Sequence, residues 1–223
     1  MSVKQQIRTI AVFGGSGATG RVLIRHALQR GMGVRTLVRN PAALAGRLEG
    51  AEIIAGSLAN RDDVASTMTA VDAVFCVFGP RPPYTDIFCQ QATKTIVEIM
   101  QENSIRRLLC QTGGMIGDYP ENRSVFFGLM VSLFRKRLPE LWLDRVGQEQ
   151  QVMHSDLSWT IVKPPKLVNK PQTHQVIAGP HVKLGLLSSI TRDDLAEFLL
   201  DEAQNGLYHQ KAVFVRNRGR LRV

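Results

Sequence analysis

The residues best placed to do chemistry are three glycines near the amino terminus, in the run Gly14-Gly15-Ser16-Gly17-Ala18-Thr19-Gly20. An apolar, β-prone stretch leads into this run and an amphipathic helical pattern leads out of it. Gly14, Gly17 and Gly20 would permit a tight turn, close approach of the backbone to a pyrophosphate, and close packing of helix on strand. A helix that begins here directs free N–H groups and its positive dipole end at the phosphates. Three glycines can also form a plain turn, but their place between strand and helix favours a dinucleotide site.

The end of the second strand candidate, Leu37-Val38-Arg39, bears on the choice of dinucleotide. Folds selective for NAD place a carboxylate near this point to accept hydrogen bonds from the ribose. No Asp or Glu occurs between residues 21 and 48, and the chain offers Arg35 and Arg39 instead. An arginine here can pair with a 2′-phosphate and stack on adenine. An arginine without a ligand is the alternative, but the pattern favours NADP(H), with Arg39 at the 2′-phosphate.

The elements that must position these residues alternate along the chain. Short apolar runs predict strands at residues 7–13, 34–38, 52–54, 73–78, 107–112, 159–162 and 212–215. Such runs are typical of parallel strands that are covered on both faces. With helices in the gaps, they predict an α/β fold: a Rossmann-type doubly wound parallel sheet with helices on both faces and a small C-terminal substrate-side segment.

Capping signals predict where several helices begin. Asn40-Pro41 places a cap residue before a proline, and Asn60 precedes an acidic first turn. Residues 85–103 have the apolar spacing of one long helix. Thr191-Arg192-Asp193-Asp194 resembles a capping box, which explains both aspartates better than catalysis does.

We expect a single domain over residues 1–223, with two substrate-side insertions and a tail. The insertions are residues 113–145 and 164–187, and both follow strand ends where ligands bind in open α/β sheets. The apolar stretch 126–134 inside the first is interpreted as a packing helix, with an apolar lid over a flat substrate as the alternative. Residues 216–223 contain four arginines and are expected to form a solvated tail.

Composition excludes several classes of function. No apolar run approaches the length of a membrane span, and the first residues leave no room for a signal peptide, so we expect no membrane partner. The net charge of +9 suits an anionic cofactor or substrate better than nucleic acid, because four of the positive charges belong to the tail. Cys76, Cys89 and Cys110 lack metal-ligand spacing; reduced core cysteines, a cytoplasmic location and no metal site are expected. The scattered histidines have no ligand spacing, and Glu149 is expected to be a solvated helix carboxylate.

The chain resembles the atypical short-chain dehydrogenase/reductases, in particular the NAD(P)H-binding group that includes biliverdin-IXβ/flavin reductase and the NmrA-like proteins. The resemblance covers about residues 7–216. It is carried by the glycine run, Leu37-Val38-Arg39-Asn40-Pro41, Gly56-Ser57-Leu58, Val77-Phe78-Gly79 and the stretch from Ser155 to Pro165.

The resemblance implies roles for matching positions. Ser16, Gly17, Ala18 and Thr19 would hold the pyrophosphate, with Gly14 and Gly20 shaping the loop, and Arg39 would bind the 2′-phosphate. Ser57 and Leu58 would border the adenine, and Gly79 would pass under the ribose. Thr112, the one candidate catalytic residue, would lie near the nicotinamide ribose, and the segment Lys163-Pro164-Pro165 would border the nicotinamide. Arg81 and Lys166 would face the substrate mouth.

The departures from the family pattern limit the chemistry. Ser57 stands where the family often has aspartate, and Gly113 stands where the flavin reductases have serine. The Tyr-x-x-x-Lys pair of typical short-chain dehydrogenases is missing, because Tyr119 is followed by Arg123 at the fourth place and residues 144–152 contain neither Tyr nor Lys.

Without that pair, the sequence favours reduction of a conjugated acceptor over a simple carbonyl. A flavin, quinone or linear tetrapyrrole spreads the added charge and can take its proton from solvent, whereas an alkoxide needs a nearby acid. We therefore expect an NADPH-dependent reductase with a small-molecule electron acceptor. The alternative is a non-catalytic NmrA-like NADP(H)-binding sensor with a protein partner, because the fold alone does not settle function.

Overall fold

A computed structural model describes residues 6–44 and 46–219 of the chain. Its main feature is an eight-stranded sheet with the strand order β3-β2-β1-β4-β5-β6-β10-β8. Seven of these strands are parallel, and β8 joins the edge antiparallel to β10. A separate parallel pair is formed by β7 and β9. The strands are β1 (Thr9–Phe13), β2 (Gly33–Val38), β3 (Glu52–Ala55), β4 (Ala73–Cys76), β5 (Arg107–Gln111), β6 (Ser158–Lys163), β7 (Lys166–Val168), β8 (Val176–Gly179), β9 (Ser189–Thr191) and β10 (Lys211–Asn217).

Six α-helices lie among the described residues: α1 (Ala18–Gln29), α2 (Arg61–Thr67), α3 (Cys89–Glu102), α4 (Val125–Arg137), α5 (Pro139–Met153) and α6 (Arg192–Asn205). Short 3₁₀ turns cover Pro41–Leu44 and Pro120–Asn122. Helices α1 and α6 pack together on one face of the sheet, and α3 and α5 pack together on the other. The Rossmann-type doubly wound sheet predicted from the alternating runs is confirmed.

The capping predictions are confirmed where the cap is local. The Asn60 side chain accepts hydrogen bonds from the N–H groups of Asp62 and Asp63, and the Thr191 hydroxyl accepts one from the Asp194 N–H. Asp194 is itself buried, and its carboxylate accepts hydrogen bonds from Thr191, Thr173, Asn217 and the His174 N–H. Both elements begin at these caps because the side-chain oxygens satisfy N–H groups that the helix leaves unpaired.

Two boundary predictions are wrong. Helix α3 begins at Cys89 rather than at residue 85, because the carboxylate of Asp144 on α5 accepts hydrogen bonds from the N–H groups of Cys89 and Gln90. Arg216 and Asn217 do not belong to a solvated tail, since they pair with Ile177 and Val176 of β8. Residues 220–223 of the expected tail lie outside the described residues.

The first insertion forms helix α4, which packs by one face only. Phe127 and Val131 are buried against Met115, Tyr119, Val182, Leu184 and Phe214. The helix therefore packs on the body of the protein by this face, and its role beside a substrate stays a prediction. Its other face carries large apolar side chains in solvent.

The three cysteines are free and buried, as expected of reduced core residues. Within the described ranges, none of the helices combines the length and apolar composition that a bilayer crossing requires. No cluster of His, Cys, Asp or Glu in those ranges is arranged to hold a metal ion.

Candidate functional site

The glycine run forms a tight loop between β1 and α1. Gly14 has φ +99°, and a Cβ on it would lie 2.8 Å from the Phe78 nitrogen. A Cβ on Gly20 would lie 2.2 Å from the Gly14 carbonyl oxygen, so only glycine lets α1 start so close to the loop. The Gly17 N–H donates to that same oxygen at 2.9 Å. The sequence needs glycine at these positions for the steric reasons inferred from the motif.

The start of α1 is open to an anion. Gly17 is its N-cap residue and has no side chain with which to cap the first N–H groups. Those groups have no acceptor within the helix, and the positive end of the helix dipole lies beside them. On the open side of the loop, the Arg81 Nη2 atom lies 4.0 Å from the position of a Cβ on Gly17. Arg81, expected at the substrate mouth, therefore brings a cation to the glycine loop itself.

Two sequence candidates for the 2′-phosphate are separated by the structure. Arg35 forms an ion pair with Glu52 and donates to the carbonyls of Ser66 and Thr67. Arg39 follows β2, is exposed, and forms no ion pair with any residue that the structure describes. Because parallel strands end at one edge, Arg39 shares that edge with Gly56-Ser57-Leu58 after β3. The Ser57 N–H is held by Asp63, whose carboxylate occupies the space a Gly56 side chain would need.

A buried arginine fixes the two strand ends in the middle of the sheet. The Arg145 guanidinium on α5 donates to the carbonyl of Phe78 after β4 and to those of Gln111 and Thr112 at β5. Its Nη1 would lie 3.5 Å from a Cβ on Gly79. Gly79 and Thr112, which sequence reasoning placed at the cofactor riboses, are thus positioned by one side chain. Arg145 was not among the residues predicted from the sequence.

Beyond this arginine lies a polar cluster that joins the buried Thr112, Glu149 and Lys163 with the half-buried Tyr119. The Thr112 hydroxyl donates to Glu149 Oε1 at 2.6 Å, and the Tyr119 hydroxyl donates to Oε2 at 3.4 Å. The Lys163 ammonium forms an ion pair with Glu149, and the two side chains are 0% and 2% exposed. The expectation that Glu149 is a solvated carboxylate is therefore wrong. It faces the sheet from α5, together with Leu141, Arg145 and Val152.

The cluster has the opposite electrostatics to an activated tyrosine–lysine pair. Burial raises the pKa of Tyr119 well above its ordinary value, and the nearby Glu149 carboxylate raises it further. Burial also lowers the pKa of Lys163 to about 8, against the attraction of Glu149, which raises it. The Lys163 ammonium lies 4.5 Å over the Tyr119 ring rather than beside its hydroxyl. Tyr119 therefore keeps its proton at neutral pH and gains no activation from the lysine.

The side chain of Lys163, at the end of β6, points into the interior of the protein, whereas the residues that follow it lie nearer the surface. Lys163 is fully buried between Glu149 and the rings of Tyr119 and Phe214, so its side chain does not reach the surface. The Pro164 carbonyl accepts the Gly114 N–H at 2.8 Å, which joins this segment to the end of β5. Lys166 at the start of β7 is exposed. The roles of Pro164 and Lys166 beside a ligand stay predictions.

One signal in the sequence could have located Arg145 and Glu149. Leu141, Arg145, Gln148, Glu149 and Val152 repeat at helical spacing, so the apolar stripe of α5 is completed by polar residues. All five are buried in the structure. Polar residues within an apolar stripe are forced to find partners under the sheet.

A family model described as NAD(P)H-binding matches residues 14–206 of the chain. The chain belongs to this NAD(P)H-binding family. The match begins at the first glycine of the loop and runs past α6, so it includes the loop, Arg39, Gly79 and the polar cluster. The NAD(P)H-binding family predicted from the sequence is confirmed by this match.

Solved structures share the fold of this NAD(P)H-binding protein along almost the whole chain. A short-chain dehydrogenase/reductase from Veillonella parvula in complex with NADP is 18% identical, with a TM-score of 0.77 and 96% of each chain covered. The anaerobillin reductase ChuY from Escherichia coli is 16% identical, with a TM-score of 0.78, covering 96% of this chain and 100% of its own. The oxidoreductase ylbE from Lactococcus lactis is 13% identical, with a TM-score of 0.76, covering 94% of this chain and 91% of its own.

The residues present fit a dinucleotide. The loop around Gly14 and Gly20 would lose its shape with any side chain there, and the N-terminus of α1 offers unpaired N–H groups. Ser16, Ala18 and Thr19 lie in or directly after this loop, where their backbone would hold the phosphates. The Ser16 carbonyl is fixed by the Arg21 side chain at 2.6 Å, so the loop has a defined conformation for binding.

Proposed function

We propose that this protein is an NADPH-dependent reductase that passes a hydride to a flat conjugated acceptor, such as a flavin, a quinone or a linear tetrapyrrole. The observation that carries the proposal is the state of Tyr119. Its pKa is raised, its hydroxyl donates to Glu149, and its ring rather than its oxygen faces Lys163. A phenol held in this way is a poor proton donor to an alkoxide, so an acceptor that needs no strong acid fits the site better.

The chain's own residues then bind and orient rather than transfer protons. The glycine loop and the α1 N-terminus hold the pyrophosphate, with Arg81 as a nearby cation. Arg145 fixes Gly79 and the Thr112 carbonyl under the site. When bound, the reduced nicotinamide supplies the hydride, and the protein contributes position and electrostatics. Thr112, the catalytic candidate of the sequence, is better described as a positioning residue, because its hydroxyl proton is committed to Glu149.

NADP(H) is the proposed cofactor because of Arg39. It is exposed at the end of β2 and has no carboxylate partner among the described residues, whereas Arg35 is occupied by Glu52. A guanidinium that is free at this position pairs with a 2′-phosphate, and the chain lacks the acid that would bind the NAD ribose. The family match and a fold neighbour in complex with NADP are consistent with this choice.

The acceptor side is basic. Lys166 is exposed at the start of β7, and residues 164–187 contain no Asp or Glu. Cations around a flat site would stabilise the negative charge that a conjugated acceptor gains. The fold is also one that an anaerobillin reductase uses. The cytoplasmic location expected from the cysteines stays a prediction.

The test measures NADPH oxidation as the loss of absorbance of the reduced nicotinamide, with FMN, biliverdin and a quinone as acceptors. Arg39→Ala should raise KM for NADPH about tenfold to a hundredfold and leave KM for NADH nearly unchanged. The matched control is Arg106→Ala, an exposed arginine at the opposite, N-terminal end of β5.

The alternative is a non-catalytic NmrA-like sensor. It is equally compatible with the site, because Thr112, Tyr119 and Lys163 are all paired with Glu149. Tight NADPH binding by calorimetry without turnover of any acceptor would overturn the reductase proposal and make the sensor the leading interpretation. A shift of NADPH affinity in Arg106→Ala equal to that in Arg39→Ala would overturn the assignment of the 2′-phosphate contact.

A further inference from the structure

One whole face of helix α4 has no partner among the residues that the structure describes. Five exposed apolar side chains on this helix form what we call its outer face. They are Val125, Phe126, Leu129, Met130 and Leu133, which are 78%, 69%, 62%, 36% and 52% exposed. The inner face is filled, since Phe127 and Val131 are 4% and 5% exposed. Single exposed apolar residues are ordinary, but five on one face of one helix mark an interaction surface.

The outer face ends in cations that lie on the same side of the helix. Arg137 follows Phe126, Met130 and Leu133 at spacings of i+11, i+7 and i+4, and Lys136 follows Val125 and Leu129 at i+11 and i+7. These spacings place both cations in line with the apolar rows. Both are exposed. Arg135 points away from this face, with its guanidinium 4.4 Å over the Trp142 ring.

A second apolar element adjoins the other end of the helix. The Ser124 N–H donates to the Leu184 carbonyl at 2.9 Å, which fixes residues 184–188 beside the start of α4. In this loop Leu186 and Leu187 are 54% and 97% exposed, and Lys183 before it is exposed as well. The apolar surface is therefore longer than the helix and has cations at both ends.

The charged side chains of α4 and the adjoining loop are positive, and the acids nearest to α4 in the sequence, Glu121 and Glu140, lie outside both elements. Residues 122–139 and 157–192, which include α4 and the adjoining loop, contain no Asp or Glu. In the described part of the chain, Lys136, Arg137 and Lys183 form no ion pair. A second copy of the chain on this face would bring the cations of the two copies together, since the helix and the loop themselves carry no acid. An anionic lipid surface offers both an apolar layer and the opposite charge.

We propose that the outer face of α4, with Leu186 and Leu187, docks the protein on the surface of an anionic lipid bilayer. The apolar side chains enter the boundary between headgroups and acyl chains, and Lys136, Arg137 and Lys183 reach the headgroup phosphates. The binding is peripheral. It differs from the expectation of no membrane partner, which rested on the lack of a spanning run and of a signal peptide and did not consider peripheral binding. It also holds whichever acceptor the protein reduces.

The test is co-sedimentation with vesicles of phosphatidylcholine alone and of phosphatidylcholine with phosphatidylglycerol. The full chain should bind only the anionic vesicles. Phe126→Ser with Leu129→Ser should lower the partition coefficient on the order of a hundredfold, from the apolar area that no longer inserts. Lys136→Gln with Arg137→Gln should lower it roughly thirtyfold and weaken its salt dependence.

Matched controls separate this surface from the general positive charge. Leu207→Ser removes a 72% exposed leucine near the N-terminal ends of β6 and β10, and Arg106→Gln with Lys211→Gln removes two exposed cations from that same edge. These variants should bind as the unchanged protein does. The thermal midpoint and the NADPH affinity of every variant are measured and should equal those of the unchanged protein, so that misfolding is detected.

Three results would overturn the proposal. The first is absence of binding to anionic vesicles. The second is equal loss of binding in the control variants, which would show unspecific charge attraction. The third is concentration-dependent dimerisation in analytical ultracentrifugation that Phe126→Ser with Leu129→Ser abolishes, which would make the outer face an interface between two copies.

Discussion

The buried ion pair of Glu149 and Lys163 gives the sharpest test of the site's structure. Lys163→Met leaves the Glu149 carboxylate 2% exposed, with only the hydroxyls of Thr112 and Tyr119 as partners. Breaking a buried pair by removing one partner costs about 3–5 kcal/mol, because a charge stays buried without its counter-ion. Because two hydroxyl groups still donate hydrogen bonds to Glu149, we expect the loss of stability from Lys163→Met to lie near the lower end of this range, at about 3 kcal/mol.

The loss of stability caused by Glu149→Gln should depend on pH more strongly than the loss caused by Lys163→Met. Without the carboxylate, the Lys163 ammonium keeps only the Tyr119 and Phe214 rings, at 4.5 and 5.7 Å. The attraction of Glu149 raises the pKa of Lys163, and that pKa is about 8 even with the carboxylate present. The amine of the variant therefore loses its proton more readily, so the cost of Glu149→Gln should shrink as pH rises from 7 to 9.

The double variant, Glu149→Gln with Lys163→Met, removes both charges together. Its loss of stability should be smaller than the sum of the two single losses by at least about 2 kcal/mol, because neither charge is left unpaired. The assay is urea unfolding followed by the fluorescence of Trp142 and Trp159, with the m-values compared. Strictly additive losses would refute the reasoning.

The pH dependence of the pair has a definite sign. The folded-state pKa of Lys163, about 8, lies below its ordinary 10.5. Between these values the unfolded chain binds a proton that the folded chain does not, so this lysine adds stability as pH rises through the window. At 1.36 kcal/mol per pH unit, the stability of the natural protein relative to the double variant should rise by about 2 kcal/mol from pH 8 to 9.5. A constant or falling difference would contradict the lowered pKa.

Four further substitutions test other parts of the structure. Gly20→Ala should cost about 1–3 kcal/mol of stability and weaken NADPH binding measured by calorimetry, because its Cβ would meet the Gly14 oxygen at 2.2 Å. The control Gly128→Ala lies within α4, where a Cβ would meet no neighbouring element within 4 Å, and should stabilise the protein by about 0.5–1 kcal/mol. Equal effects of the two substitutions would exclude the steric argument. Arg145→Met should cost about 3 kcal/mol in urea unfolding and weaken NADPH binding, because it unpairs the carbonyls of Phe78, Gln111 and Thr112; a change below about 1 kcal/mol would show that Arg145 does not hold the strand ends. Burial alone would raise the pKa of Asp194, but its hydrogen bonds outweigh burial and lower that pKa below the ordinary 3.8. The stability advantage of the natural protein over Asp194→Asn should therefore be complete above about pH 5 and shrink as pH falls below about 4; an advantage that stays constant on acidification would be inconsistent with this.

Features that depend on neighbouring residues were predictable. The strand, glycine loop and helix at residues 9–29 follow from a short pattern, in which the positive φ of Gly14 and the close contact of Gly20 with Gly14 are local. The caps at Asn60 and Thr191 were found because a side chain bonds N–H groups two or three residues away. The missing acid after β2, beside Arg39, is likewise visible in the sequence.

Features that depend on distant partners were missed. The start of α3 is set by Asp144, which is 55 residues from Cys89, and no pattern near residue 85 reveals this. Glu149 was interpreted as solvated because most helix carboxylates are, whereas its burial depends on α5 turning that face to the sheet. Arg216 and Asn217 belong to a strand because β8 lies beside them.

By itself, then, the sequence determined the alternating fold, the glycine loop and the basic residue at the end of β2, because glycine sterics, capping and apolar periodicity act over a few residues. Only the tertiary structure decided which titratable groups share the interior. Thr112, Tyr119, Glu149 and Lys163 come from four separate segments, and burial together is what shifts the pKa values of Tyr119 and Lys163. Desolvation and paired charge are properties of packed neighbours, and the sequence does not specify those neighbours until the chain has folded.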